Sequence, residues 1–351
     1  MDNNCLIKQN NRVVWIDLLR ILSVFAVIVI HVSVNQKTWN MHLFDTFSWE
    51  ILNVTICLSR FCVPVFLMIS GYFSLSNDKA YSIKEIYTQK IKKLFILFVF
   101  WSFIYCLLRI VLDHPFENIS EIFSYIFDGG IWHTWYIPVL IFLYMISPLL
   151  KEICRDKNNE IYFLILCSVP LIINTISPFF MPPWIESLID NTKIDFISGY
   201  TFYYVAGHFI INYDIKKTTK WIFYIMNIVF SAFNIILMSF SYKNSKILYF
   251  NNWYLTFFVA FFGITVLLFF KNEVSKIRFS DKSERIIRKL SSLTLGIYLI
   301  HMIFVYYVDI SVFESIPNVI VSVVFSTFVF CASAVSVFLI KKIPVFKKYI
   351  V

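Results

Sequence analysis

The chain has 351 residues, of which 59% are hydrophobic, 19% aromatic and 15% charged, with a formal net charge of +9 and a mean hydropathy of +0.72. Globular domains run near 45–50% apolar and about 25% charged, so charge is depleted along this whole chain, and a soluble enzyme, a collagenous or disordered chain and a disulfide scaffold are all excluded. What remains is an all-α, polytopic membrane protein.

Crossing the hydrocarbon core as helix takes about 20 apolar residues, and ten stretches supply them: roughly 13–34, 51–73, 94–112, 133–150, 161–180, 194–213, 221–242, 253–270, 290–308 and 318–340. The first has a long core, carries His31 and shows no small-x-small cleavage site after Ser33, so it reads as a retained span rather than a signal peptide. An even number of spans puts both termini on one side. The short loops on that side hold 24 of the 31 Lys and Arg residues and the opposite loops hold 4. That asymmetry makes the termini cytoplasmic and explains the positive charge as topology and contact with anionic lipid. The expectation is a bundle of about ten transmembrane helices forming a single integral-membrane domain over residues 1–351.

Between the third and fourth spans, Phe116, Ile119, Phe123, Ile126 and Phe127 recur at helical spacing between Pro115 and Gly129-Gly130, which predicts a short helix over 115–127 lying in the outer interface. Asp113, Glu117, Glu121 and Asp128 give this loop its charge, and Arg109 is expected to pair with Asp113 one turn on. Seven cysteines, at 5, 57, 62, 106, 154, 167 and 331, show no CxxC or Cys/His ligand spacing. They read as small hydrophobes, and no metal site is expected.

Ionisable side chains within a bilayer are costly and mark function by default. Arg20 and His31, in the first span, are eleven residues apart, which is three turns plus about 20°; both project from one helix face, separated by about 16 Å along it. The bland reading of Arg20 is a snorkelling anchor paired with Asp17. For His31 it is a hydrogen-bonded core histidine, but the flanking Ile28, Val29, Ile30 and Val32 favour an uncharged imidazole, which is what a general base requires. Arg60, in the second span, stands at the level of His31 with no acid in its own span, so its partner is another helix, a wet cavity or a bound anion. Further along the same span, Pro64, Ser70 and Gly71 permit a kink and a close backbone approach.

His133, with Trp132, Trp135 and Tyr136, opens the fourth span. An aromatic belt explains most of this cluster, yet an imidazole beside aromatic rings is also how a sugar is held. His301 falls near the middle of the ninth span, and His208 toward the cytoplasmic end of the sixth. His42 and His114 belong to outer loops and read as solvated. No G-x-S-x-G, P-loop, GxGxxG or H-E-x-x-H is present, which removes support for hydrolase, ATPase, dinucleotide-binding and zincin readings.

The Arg20-to-His31 spacing, taken together with SRFCVPVFLMISGYF (59–73), HTWYIPVLIFLYMISPLL (133–150), GYTFYYVAGHFI (199–210) and SSLTLGIYLIHMIF (291–304), resembles acyltransferase family 3, over about residues 13 to 340. The resemblance implies a multi-pass enzyme of the bacterial cytoplasmic membrane that moves an acyl group, usually acetyl from cytoplasmic acetyl-CoA, to a hydroxyl of a surface glycan or its lipid-linked precursor. It matches Arg20 and His31 to the family's signature pair, with His31 essential. Lys90 and Lys93 stand where relatives often carry arginines, a looser match because Lys binds phosphate as a point charge. With no extracytoplasmic hydrolase-type domain after the tenth span, the membrane-only form of the family is expected.

On this reading Lys90, Lys92, Lys93 and Arg20 bind the phosphates of acyl-CoA, which is a donor substrate and not a resident cofactor. His31 acts as base or as transient acyl carrier, and Arg60 steadies the oxyanion. His133, Trp135, Tyr136 and His301 hold the acceptor. The bilayer is the other partner, and nucleic acid is not one. A glycan or metabolite transporter would also line its path with buried Arg and His, but matching half-repeats and broken midplane helices are not evident in the sequence. A third reading is a ligand-sensing membrane domain of the kind fused to racemases.

Overall fold

The structure, a computed structural model, describes residues 13–39, 46–76, 82–112, 115–127, 133–180, 194–243, 254–308 and 318–343. Among these residues there are helices and no strands. They are α1 (Val14–Trp39), α2 (Phe47–Ser59), α3 (Cys62–Leu75), α4 (Ile83–Leu112), α5 (Ile119–Phe127), α6 (Tyr136–Ile153), α7 (Lys157–Phe180), α8 (Ile194–Asn212), α9 (Lys217–Lys243), α10 (Phe257–Asn272), α11 (Asp281–Ser291), α12 (Thr294–Tyr307) and α13 (Asn318–Ile340). Among the described residues, eight spans are long and apolar enough to cross a bilayer, or nine with the α11–α12 pair counted as one. Helices occupy each of the ten expected stretches. His42, His114, Asp113, Asp128 and Trp132 lie outside the described residues.

Two stretches depart from a single straight helix. The 51–73 stretch breaks at Arg60 and Phe61, where the Arg60 N–H bonds the Cys57 carbonyl at 3.3 Å in a turn. Pro64 is the cause: it has no N–H to offer the Arg60 carbonyl four residues back, and its ring clashes with that carbonyl. The 290–308 stretch is instead a 14-residue helix, α12, bent by 60° from the amphipathic α11. At 1.5 Å per residue α12 covers about 21 Å, short of the hydrocarbon core. Its start is tied to α1 by Asp17, which is 1% exposed and accepts from the Ser291 hydroxyl at 2.6 Å.

α1, α3 and α8 form the centre, with Leu19, Ile28, Leu67, Met68, Tyr203 and Tyr204 buried between them. α9 is peripheral, turning Ile225, Ile228 and Ile236 outward. One end of the bundle collects the basic side chains. There Lys90 donates to Ser74, Lys271 to the carbonyls of Ile210 and Tyr213, Lys220 to Asn272 and Lys341 to the Ser292 carbonyl.

α3 and α8 cross with their backbones touching. A Cβ on Gly71 would lie 1.8 Å from the Tyr204 carbonyl oxygen, and one on Gly207 would lie 1.9 Å from the Met68 carbonyl oxygen. Membrane helices have little hydrophobic drive to associate, so close approach at small residues carries the packing. Gly71→Ala is therefore expected to destabilise the fold by about 3 kcal/mol through overpacking. Thermal unfolding of the detergent-solubilised variant, read by size-exclusion recovery, measures the loss.

The outer-loop helix forms, but as Ile119–Phe127 rather than 115–127. Asn118 sets the start by accepting from the Glu121 N–H at 2.9 Å, a side-chain cap that the apolar spacing does not reveal. Arg109 pairs with Glu121 at 2.6 Å; the expected partner Asp113 lies outside the described residues. Arg109 also lies over the rings of Phe116 and Tyr125, at 4.4 and 4.8 Å, because α5 folds back onto the end of α4. The Glu117 N–H and then Arg109 hold the Glu121 carboxyl below its usual range. A depressed folded value means that this tether is complete above the ordinary carboxylate range and is lost as pH falls through it. Arg109→Ala is expected to loosen the tether, because it removes both the ion pair and the cation–ring contacts. Hydrogen exchange over 119–127, corrected for intrinsic rates, should speed up in the variant at neutral pH and in the parent on acidification, with the α3–α8 core unchanged.

Candidate active site

α1 carries Arg20 and His31 on one face, as the helix arithmetic requires. Arg20 sits 3.7 Å from Asp17 and 5.1 Å from the ring centroid of Phe73, at the basic end. Deeper in, His31 meets a second imidazole. The rings of His31 and His301 are 5.2 Å apart, and His301 is 5.3 Å from His133. Three spans distant in sequence thus each supply one histidine. His301 and His133 are buried, at 0% and 2% exposure, whereas His31 stays partly accessible.

Local structure fixes these rings. Pro138 falls in the first turn of α6, where proline is tolerated, and the turn before it, closed by the Ile137 N–H on the Thr134 carbonyl at 3.0 Å, directs His133 inward. The His133 Nε2–H donates to the Leu299 carbonyl at 3.3 Å, which leaves Nδ1 as acceptor. The His301 Nδ1–H donates to the Tyr298 carbonyl at 2.6 Å. Because a carbonyl only accepts, the lone pair of His301 is on Nε2, and that atom is buried with no hydrogen-bond partner among the described residues. Tyr298 closes the frame by donating its hydroxyl to the His133 carbonyl, and the Tyr105 hydroxyl donates to Leu299 at 2.8 Å.

A cavity of about 270 Å³ leads toward this cluster, lined by Arg20, Val27, Val63, Ser70, Tyr136 and Tyr298 among others. Arg20, Ser291 and Ser292 make one end polar, and Tyr136 and Tyr298, whose rings are 5.7 Å apart, stand between it and the histidines. Trp135 points elsewhere, against Tyr200 and Tyr254 at 5.6 and 5.7 Å. Arg60 is 3% exposed and lies over the Tyr254 ring at 5.3 Å, within electrostatic reach of His31.

The three lysines separate. Lys90 falls in a π-helical segment, Ile86–Ile91, which turns it inward onto Ser74 and over the ring of Tyr144 at 4.7 Å. Lys92 and Lys93 are exposed. Pro148, inside α6, leaves the Tyr144 carbonyl without its usual donor, and the Ser147 hydroxyl supplies one at 2.8 Å. His208 is not near the other histidines; it pairs with Glu160 at 2.7 Å.

The structure therefore gathers His31, His133, His301 and Tyr136, keeps Arg20 at the far end of the adjoining cavity, and leaves Trp135, Lys92 and Lys93 apart. Sequence reasoning missed Tyr298, Tyr105, Tyr254 and Glu160. Tyr298 had a signal, one turn before His301 on the same helix. Glu160 stood one residue outside a predicted span.

A polytopic helical bundle enclosing hydrogen-bonded imidazoles defines a membrane protein with a polar cluster among its helices. The chain belongs to acyltransferase family 3, whose acyltransferase domain matches residues 13–341. It is also similar to an amino-acid racemase of Enterococcus faecalis, 28% identical over 153 residues, covering 41% of this chain and 20% of that protein. No solved structure matches. Tyr298→Phe removes the hydroxyl that holds the His133 carbonyl. A hydrogen bond worth about 1 kcal/mol corresponds to a fall in turnover of about five- to tenfold, expected in an acyl-transfer assay with an unchanged melting temperature.

Proposed function

We propose that the protein transfers an acyl group, acetyl in the first instance, from cytoplasmic acyl-CoA to a hydroxyl of a bacterial cell-surface polysaccharide or its lipid-linked precursor. The observation that carries this reading is a cavity lined by Arg20 and by Tyr136 and Tyr298, with the Tyr298 ring packed on its far side against His133 and His301 of the three-imidazole cluster. Arg20 binds donor phosphate at the cavity mouth, Lys90 adds positive charge at the same end, and the thioester arm extends past Val27 and Ser70 toward Tyr136 and Tyr298. His31, the accessible imidazole, takes the proton of the acceptor hydroxyl as that oxygen attacks the thioester carbonyl; the carbon–sulfur bond then breaks and coenzyme A leaves as the thiol. His301 and His133, closed in behind it, orient His31 and hold the site dry. Arg60 offers positive charge to the developing oxyanion in a low-dielectric setting. The alternative chemical route, in which His31 itself carries the acyl group, would show as burst release of coenzyme A without acceptor.

The sequence motifs also resemble those of the enterobacterial common antigen O-acetyltransferase, which supports a glycan hydroxyl as acceptor. The match to a segment of an amino-acid racemase favours a second reading, a membrane module serving an amino-acid-processing enzyme. Purified protein in proteoliposomes with labelled acetyl-CoA separates the two, because a module that only binds a ligand releases no coenzyme A.

His31→Ala is expected to lower transfer by at least about 10²-fold at normal abundance and melting temperature; full activity in that variant would remove His31 from the mechanism. Arg60→Lys is expected to be severely impaired, since an ammonium lacks the planar fork of guanidinium, and near-parental turnover would make Arg60 structural. Because 24 of the basic residues fall on the terminal side, donor should be used from the cytoplasmic face. In oriented proteoliposomes, acyl-CoA outside and acceptor sealed on the opposite face should give product. Transfer only with both on the cytoplasmic face would refute the trans-bilayer route.

A further inference from the structure

At the basic end, away from the histidine cluster, three side chains converge that the acyl-transfer scheme does not use. Cys154 ends α6, Glu160 lies in the first turn of α7 and His208 stands late in α8. The Cys154 sulfur, a Glu160 carboxylate oxygen and a His208 ring nitrogen all lie within 4.8 Å of one another, and all three residues are buried. Glu160 is 0% exposed. Its Oε1 meets His208 Nδ1 at 2.7 Å, and the Cys154 thiol is a second hydrogen-bond neighbour of the same carboxyl. A buried carboxylate is costly unless its charge is matched, and this one faces a thiol and an imidazole.

We propose that Cys154, Glu160 and His208 form a binding site for a divalent cation of the zinc class, with a fourth position open to the adjoining cavity. The donor set is one sulfur, one nitrogen and one oxygen, which selects zinc-like metals over magnesium or calcium. Three protein ligands with an open position form an accessible zinc centre. That position has room: a cavity of about 530 Å³, lined by Cys154 and His208 together with Ser74, Lys151, Arg155 and Asn212, adjoins the trio. Charge also balances, because thiolate plus carboxylate neutralise a divalent ion. Lys151 and Arg155 oppose a cation from the cavity walls, although Arg155 is engaged by Glu152 at 2.5 Å.

Ligand atoms about 2.0–2.2 Å from zinc at a tetrahedral angle stand about 3.3 Å apart. The 2.7 Å contact between His208 and Glu160 therefore opens slightly, and a small turn of the carboxylate suffices. Metal binding releases the thiol proton of Cys154 and any proton shared by His208 and Glu160. The ion would clip the α6–α7 corner to α8.

The test uses the full chain, purified in detergent with a tag free of histidine, loaded with Zn²⁺ or Co²⁺ and desalted. The parent is expected to retain one zinc per chain and, with Co²⁺, to show intense tetrahedral d–d bands and a sulfur-to-cobalt charge-transfer band. Cys154→Ser should abolish the charge-transfer band, and His208→Ala should lower retained zinc at least about tenfold. A parent that retains no stoichiometric zinc and gives no charge-transfer band would overturn the site, leaving His208 and Glu160 as an ion pair alone. An unchanged cobalt spectrum in Cys154→Ser would overturn it equally. Should a variant fail to fold, the parent's cobalt spectrum decides by itself.

Discussion

The backbone contact between α3 and α8 is the constraint on which the remainder depends. In lipid, helices gain little by hiding apolar surface from one another, so contact must come from packing that tolerates no gap. Gly71 and Gly207 remove two side chains from the crossing, and each lets a helix meet a carbonyl of the other. With the axes that near, Met68 and Tyr204 fill the flanks completely. α3 is thereby fixed in depth and rotation, and with it the turn at Arg60. The cavity that runs along α3, past Val63, Phe66 and Ser70, inherits its width from the same crossing.

A second constraint is polar. Buried donors and acceptors in lipid need partners inside the bundle, and around the histidines several of those partners are backbone carbonyls. The Leu299 and Tyr298 carbonyls hold two imidazoles, and the carbonyl of His133 holds the Tyr298 hydroxyl. Two of these bonds, His133 to Leu299 and Tyr298 to His133, cross between α12 and the start of α6, so the two spans position each other's rings. His31, on α1, meets His301 through a ring contact at 5.2 Å with the planes tilted by 49°. The accessible imidazole is thus mounted on a different helix from the two that back it.

The helical membrane class was legible in the sequence because hydropathy over about 20 residues is a strong signal. So was the common face of Arg20 and His31, which needs only helix geometry. The breaks were harder. Pro64 stood in plain view, but proline breaks a helix one turn before itself, at Arg60, and the expected kink was sought further along the span. His133 read as part of an interfacial belt because its aromatic neighbours suit one; burial depends on Tyr105 and Tyr298, which are distant in sequence. The Cys154, Glu160 and His208 trio has no spacing signature, since it is closed by a contact across 48 residues. Arg109 meets Glu121 because a nine-residue helix folds back, a tertiary fact that one-turn pairing rules omit.

The π-helical segment Ile86–Ile91 has a consequence for how this chain can vary. A π turn holds one residue more than an α turn and is absorbed without unwinding the helix. Residues before it are offset by about 100° from where an uninterrupted α-helix would set them. α4 therefore carries two independent frames. From Leu94 onward the apolar face keeps register with the bundle, through Leu97, Trp101 and Tyr105. Before that, the turn capped by Ser82 and Glu85 presents its polar residues in a frame of its own. Loss or gain of a single residue at this point re-aims Lys90 and the basic turn without moving any residue of the membrane-embedded half, so the two parts of one helix are free to diverge separately.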